Sequence, residues 1–467
     1  MRLPYRHPGS FRDPDSGVLI DGDRVLRYFS PRGAADFAVL AETGLIDSLA
    51  GAGKVVPYRV VDASRRPAAV RELAPDASLV VEHPRLPFIS YPYEWSFDML
   101  KAAALLHLDI LKCALSDGWV LKDASPYNIQ FAGSEPVFID LGSFTRYEPG
   151  KPWAAYHQFC QMFLAPLLLQ AAKGVPFQPW LRACVDGIPL EHLYRMLALR
   201  QKLRGPALLH VVMPVLLNRL FGSTATPSQA AQARRLHKTD ILRLVDGLSA
   251  AVASLRSAAP PSAWTSYEAE DGYDAQARAQ KLAFVEHALG AAKPKMVWDL
   301  GCNQGRYSVA ASRHAEHVIA MDRDEGVVNA LYHRVRDSHR NVLPLVLDVT
   351  NPSPDQGWAQ CERAGLAARG PADFVLCLAL IHHVVVAGNV PLRAFVAWLA
   401  EVAREGILEF VPSTDPAAAR MLQWRRGVGL HPGYDQSGLE AALREHFTVQ
   451  ETARLQGSER LLYWFRR

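Results

Sequence analysis

The sequence predicts an α/β fold, a C-terminal Rossmann-like seven-stranded sheet closed by a β-hairpin and preceded by an α+β region. Three observations carry this. Residues 297–308, VWDLGCNQGRYS, read as an apolar strand that runs into a glycine turn and then a helix. Four further apolar strands follow, several of them ending in an acidic residue. The chain then closes on FTVQETARLQGSERLLYWFRR, two β runs around Gln456, Gly457 and Ser458.

In the first strand Asp299 sits at the carboxyl end, and Gly301 and Gly305 bracket a turn that holds Cys302 and Asn303. Without Cβ atoms at the two glycines, a ligand can lie against the backbone. The second strand, HVIAMDRD, ends in Asp322 and Arg323, close to the ~20-residue offset at which an acidic side chain meets ribose hydroxyls in doubly wound folds. The third, VLPLVLDV, ends in Asp348 and Val349. The fourth, ADFVLCLALIHHV, passes Leu378 and empties into His382 and His383, and the fifth, EGILEFVP, carries Glu409 and stops at Pro412. Each of the first four is followed by a stretch able to hold a helix, which predicts parallel strands and a ligand crevice at their carboxyl ends.

From about Trp264 to Arg467 this pattern resembles the S-adenosylmethionine-dependent class I methyltransferases. With LALIHHVVVAGNVPL and LEFVPSTDP it is similar to a bacterial family of nodulation-associated methyltransferases. The resemblance implies S-adenosyl-L-methionine as cofactor. Asp299, Gly301 and Gly305 then form the methionine-side loop, Asp322 the ribose ligand and Asp348 the adenine ligand, with Cys302, Asn303, Arg323, Val349 and Leu378 completing the set. The loop departs from the commonest form by having Asn303 and Gln304 where a third small residue is often found. His382 is expected to shape the acceptor pocket. Taken singly, Asp299 and Asp348 read equally well as strand-end caps and Asp322 as a turn former; their recurrence at successive strand ends favours a ligand.

A chain of 467 residues exceeds one core, and the expected division is 1–221, a linker at 222–262, and 263–467. The Pro260-Pro261 step marks the boundary. With 51 Lys and Arg against 47 Asp and Glu, and no long basic run, no nucleic-acid partner is demanded. Six cysteines without metal-ligand spacing read as thiols of a reducing cytoplasm, and the N-terminus lacks a signal-peptide pattern. The most apolar stretch, FCQMFLAPLLLQAA, is interrupted by Gln161 and Pro166 and falls short of the ~20 residues of a membrane span. Oligomeric state has no signature here.

The front half holds a second constellation, GWVLKDASPYNIQFAGSEPVFIDLGSF. Asp123, Asn128 and Asp140 stand at offsets that resemble the catalytic and metal loops of the protein-kinase-like fold, in particular its aminoglycoside phosphotransferase type. The resemblance implies a two-lobed α+β domain, with a small lobe to about residue 95 and a helical lobe over 96–221. It also implies Asp123 as base and Asn128 and Asp140 as ligands of Mg²⁺ in Mg-ATP. RVLRYF (24–29) and VVPYRVVD (55–62) read as strands, AADFAVLAETGLIDSLA as helical, and a long helix is expected from about Ser96 to Ser116. The departures are the missing G-x-G-x-x-G loop, Arg27 in place of the phosphate-gripping lysine with Glu42 as its expected partner, and Lys122 directly before Asp123. The same residues also read as a turn around Pro126 with a capped IDLGSF.

Three functions follow. The leading one is a cytoplasmic methyltransferase acting on a small molecule or a glycan- or lipid-linked metabolite, in which the leading helix carries Tyr267 and Tyr273 over the cofactor. The second adds phosphorylation by the front domain. The third is a non-catalytic S-adenosylmethionine-binding scaffold.

Overall fold

The computed structural model describes residues 3–221, 237–260, 275–424 and 433–467, so Tyr267 and Tyr273 lie outside the described residues. The chain divides into two units. The first comprises Met1–Phe131, Pro136–Pro260 and Asp355–Arg363; the second comprises Ala132–Glu135, Pro261–Pro354 and Ala364–Arg467.

The first unit opens with strands β1 (Tyr5–Arg6), β2 (Ser16–Asp21), β3 (Arg24–Phe29), β4 (Arg59–Val60) and β5 (Leu79–His83), an antiparallel sheet in the order β1-β2-β3-β5-β4. Leu19, Leu26 and Val80 face a shared core with Val70. The helical stretch after β3 is two helices, Pro31–Glu42 and Leu45–Gly51, because Gly44 turns the backbone to φ 72° between them. Of VVPYRVVD only Arg59–Val60 is strand. Helix Phe97–Ser116 follows, its Leu100, Ala104, Leu108 and Leu111 buried at helical spacing. Strands β6 (Trp119–Leu121), β7 (Ile129–Ala132), β8 (Glu135–Phe138) and β9 (Phe144–Arg146) come next. Helix Lys238–Ser254, inside the stretch read as a linker, packs along Phe97–Ser116 through Ile241, Val245, Leu248 and Val252. Lys112 pairs with Asp246 at 2.6 Å.

The second unit is built on β10 (Met296–Leu300), β11 (His317–Asp322), β12 (Val342–Val346), β13 (Ala372–Cys377), β14 (Ala403–Phe410), β15 (Thr448–Arg454) and β16 (Leu461–Arg466). Their order is β12-β11-β10-β13-β14-β16-β15. The first five are mutually parallel, and β16 runs antiparallel to both β14 and β15. Alternate residues Val297, Val318, Phe374, Leu376, Ile407 and Leu462 pack with Phe284, Val285 and Leu289 of helix Ala275–Ala292.

Helices follow β10 (Arg306–Ala311), β11 (Glu325–Val335) and, after an intervening turn, β13 (Leu392–Val402). The connection after β12 departs from the expected helix. It carries only the short 3-10 turns Trp358–Gln360 and Ala367–Arg369, in a stretch where NPSPDQG supplies two prolines and a glycine.

Gly305 begins the helix after β10 at φ 77°, and a Cβ there would stand 2.3 Å from Leu331 Cδ1. Its role is close packing of loop against helix. Gly305→Ala is expected to lower stability by about 1–3 kcal/mol, read as a lower urea midpoint with an unchanged slope; an unchanged midpoint would contradict the packing argument.

Candidate active site

Because β10 lies between β11 and β13, the chain leaves β10 toward one edge of the sheet and returns to its other side only at β13. The loops after these strands part there and open a crevice. It encloses about 1140 Å³, open mouth included. Asp299, Gly301, Cys302 and Asn303 border it from β10 and its turn, Asp322 and Arg323 from β11, Asp348 and Val349 from beyond β12, and Leu378 from beyond β13. Of the residues expected to hold the cofactor, only Gly305 does not border it.

The turn after β10 is fixed by its own hydrogen bonds. The Gly301 and Cys302 amides both donate to Met321 O (2.8 and 2.9 Å), and the Gly305 amide donates to Cys302 O (2.9 Å). The Asn303 amide donates to Asp322 Oδ2 at 2.9 Å, with Asn303 itself at φ 48°. The loop therefore offers a ligand a close-packed surface more than a row of amide donors. Asp322 also accepts from the Asp324 amide at 2.9 Å, so both of its oxygens are oriented by backbone. Burial raises its carboxyl pKa, and those two amide bonds oppose the rise.

Asp299 is buried and accepts from Ser308 Oγ at 2.6 Å. Burial pushes it up to about 6, against the opposing Ser308 hydrogen bond. At the third strand end Asp348 Oδ1 accepts from both the amide (2.8 Å) and the hydroxyl (2.7 Å) of Thr350.

The histidine pair is arranged differently from the expectation. His382 is fully buried, does not border the crevice, and among the described residues neither ring nitrogen has a hydrogen-bond partner. His383 is the member at the wall, with ring centroids 4.2 Å apart. Burial pushes His382 down to about 2, with His383 and nearby cations adding to the effect, and pushes His383 down to about 4, with Arg323 and Arg460 adding, so both are neutral at pH 7.

One set of functional residues escaped the sequence reading. Lys281, in the middle of helix Ala275–Ala292, borders the crevice while almost wholly buried. Its Nζ lies 2.6 Å from Glu409 Oε2 and 4.8 Å from the Tyr307 ring centroid. Glu409, with no exposed surface, also faces Arg460 at 3.5 Å, and Arg460 Nε donates to Asp415 Oδ2 at 2.7 Å. A glutamate in the otherwise apolar run ILEF was the available signal, since a buried carboxylate demands a cation.

The first unit's constellation does come together. Asn128 Nδ2 donates to Asp123 Oδ1 at 2.9 Å, and Ser143 Oγ donates to the same oxygen. Burial raises the Asp123 pKa, and the neighbouring Asp140 adds to the rise. Asp140 Oδ1 is held by Arg27 Nη1 at 2.7 Å and by the Gly142 amide at 3.2 Å. Arg27 also donates to Ser16 Oγ (2.7 Å) and Ile139 O (3.2 Å), whereas Glu42 is exposed. Arg27 is thus the partner of Asp140, not of Glu42. Among the described residues no three His, Cys, Asp or Glu side chains converge as metal ligands. Asn128 and Asp140, expected as Mg²⁺ ligands, lie in one cluster with Asp123, where these donors all reach Asp123 Oδ1 and Asp140 Oδ1.

Five parallel strands, a reversed strand between β14 and β15, and a crevice ringed by acidic strand ends define a Rossmann-like α/β protein with a crevice at the switch in strand order. The chain belongs to the family of the nodulation protein NoeA of Rhizobium meliloti (strain 1021), with which it shares 36% identity over 467 residues, 99% of this chain and 96% of that one. No protein-family model matches it. Among solved structures it is similar to the N-methyltransferase NodS of Bradyrhizobium japonicum WM9, at 13% identity and TM-score 0.31, over 42% of this chain and 98% of NodS. It is likewise similar to the magnesium protoporphyrin IX methyltransferase ChlM of Synechocystis PCC 6803, at 18% identity and TM-score 0.31, over 41% and 84% of the chains. A third is the bifunctional kinase-methyltransferase WbdD, at 17% identity and TM-score 0.31, over 43% and 41%. Among the described residues no helix is long and apolar enough to cross a membrane.

Two outcomes follow. Lys281→Met removes the cation 2.6 Å from the buried Glu409 and is expected to reduce stability by about 3–5 kcal/mol, with part of the loss recovered in Lys281→Met/Glu409→Gln; equal denaturation midpoints for wild type and Lys281→Met would refute the pair's role. Asp299 keeps its proton to about pH 6 when folded but only to 3.8 unfolded, so the folded chain binds more protons between these values. Its contribution to stability therefore falls as pH rises through that window, and Asp299→Asn should lose that part of the decline in a series of urea titrations.

Proposed function

We propose that the second unit binds S-adenosyl-L-methionine and transfers its methyl group to a small-molecule or glycan- or lipid-linked acceptor. The observation that carries this reading is the gathering of Asp299, Asp322 and Asp348, from three successive strands, around one crevice at the switch in strand order. The reversed β16 at the far side of β14 completes a sheet similar to that of class I methyltransferases. When bound, the cofactor supplies an electrophilic methyl carried on a sulfonium.

The chain's own residues do the positioning. Asp322, its oxygens aimed by the Asn303 and Asp324 amides, is suited to accept from ribose hydroxyls. Asp348, held by Thr350, faces the adenine end beside Val349 and Leu378. Gly301 and Asn303, both at positive φ, keep the methionine side of the crevice narrow. Lys281 is compensated by Glu409 and burial keeps His383 uncharged, while Asp322 and Asp348 border the same crevice as Arg306 and Arg323. Orientation of donor and acceptor in such a crevice is itself a source of several kcal/mol of barrier lowering.

Phosphoryl transfer by the first unit is the second reading, supported by the meeting of Asp123, Asn128 and Asp140 in one cluster.

Asp322→Ala is expected to weaken S-adenosyl-L-methionine binding roughly 10- to 100-fold in calorimetry while the far-UV spectrum is preserved. Unchanged affinity would sink the assignment of Asp322.

A further inference from the structure

Within the first unit, residues 190–221 form helices Leu190–Met196 and Leu199–Lys202, then the consecutive segments Gly205–Ala207, Leu208–Val212 and Met213–Phe221. One side of this helical run is seated in the unit, with Ala207, Val211, Val212 and Val215 buried. The other side is apolar too. Leu199, Leu203, Leu209, Met213, Leu217 and Leu220 are between 43% and 76% exposed, and the last four recur at steps of four, four and three, the spacing of one helix face.

The charge around these leucines has one sign. Between His192 and Phe221 there is no Asp or Glu, whereas Arg195, Arg200, Lys202, Arg204 and Arg219 fall in the same stretch. Lys202 Nζ and Arg219 Cζ both lie over the Tyr194 ring, at 3.8 and 4.7 Å, which sets the short helix beside the end of the long run. Glu191, just before the stretch, pairs with Arg195 and Arg219. Among the described residues no carboxylate pairs with Arg200, Lys202 or Arg204.

We propose that this face rests on an anionic lipid surface, its leucines inserted at the headgroup boundary and its Arg and Lys side chains among the phosphates. Exposed leucines alone would fit many partners. Their combination with uncompensated basic residues on a helix lying along the unit matches a surface that is apolar below and negative at its edge. Long Arg and Lys stems can follow the leucines down while their charged ends stay with the headgroups. The contact is peripheral and reversible, and it does not depend on the second unit's chemistry.

Vesicle sedimentation of the full chain tests this, with vesicles of mixed phosphatidylcholine and phosphatidylglycerol set against phosphatidylcholine alone. The expected result is binding to the mixed vesicles that weakens as salt rises. It should fall roughly tenfold or more in Leu209→Glu/Leu217→Glu and become less salt-dependent in Arg200→Gln/Arg204→Gln. All four positions are exposed, and an unchanged thermal midpoint of each variant confirms that folding is not what was lost. Absence of binding to the mixed vesicles, equal binding to both vesicle types, or full binding by the leucine variant would overturn the proposal. So would self-association that vanishes in the leucine variant without any vesicle binding, since the occupant would then be a second copy of this chain.

Discussion

Everything around the crevice of the second unit depends on the carboxylate of Glu409, buried without exposed surface near the end of β14. A charge in that position is tolerated only when cations reach it, and here two do: Lys281 at 2.6 Å from the leading helix and Arg460 at 3.5 Å from the turn before β16. Arg460 is in turn fixed by Asp415, which follows β14. One carboxylate therefore links the first helix, the fifth parallel strand and the closing hairpin of this unit. The network is a constraint on geometry more than a reservoir of stability, because burying the ions offsets much of their attraction.

That constraint has a consequence for the site. Lys281 borders the crevice, yet its charge is balanced from behind, and the two histidines beyond β13 are kept neutral by burial. The negative groups that remain at the crevice sit at strand ends, where the backbone aims them. The crevice is thus bordered by carboxylates oriented by the backbone and by the cations Arg306 and Arg323.

Much of the second unit was legible in the sequence because its signals are local. Alternating and continuous apolar runs set the strands, Gly301 and Gly305 punctuated the turn, and the acidic residues at strand ends marked the crevice. What was not legible depended on contacts distant in sequence. Lys281 and Glu409 are 128 positions apart, and neither periodicity nor spacing reveals that they meet. The choice between His382 and His383 turned on a single residue of helical rotation after β13, which a dipeptide does not specify. In the first unit Asp123, Asn128 and Asp140 do meet, while the pairing of Asp140 with Arg27, more than a hundred positions away, has no signal in spacing. The helix expected after β12 failed for a local reason, since the prolines and glycine there break it.

The central claim is that this crevice does methyl transfer and not binding alone. Its most direct test is incubation of the purified chain with methyl-labelled S-adenosyl-L-methionine and fractionated bacterial extract, following label in the small-molecule, glycan and lipid fractions. The account predicts enzyme-dependent label in one of these fractions. Tight cofactor binding with no label above background in any fraction would contradict it.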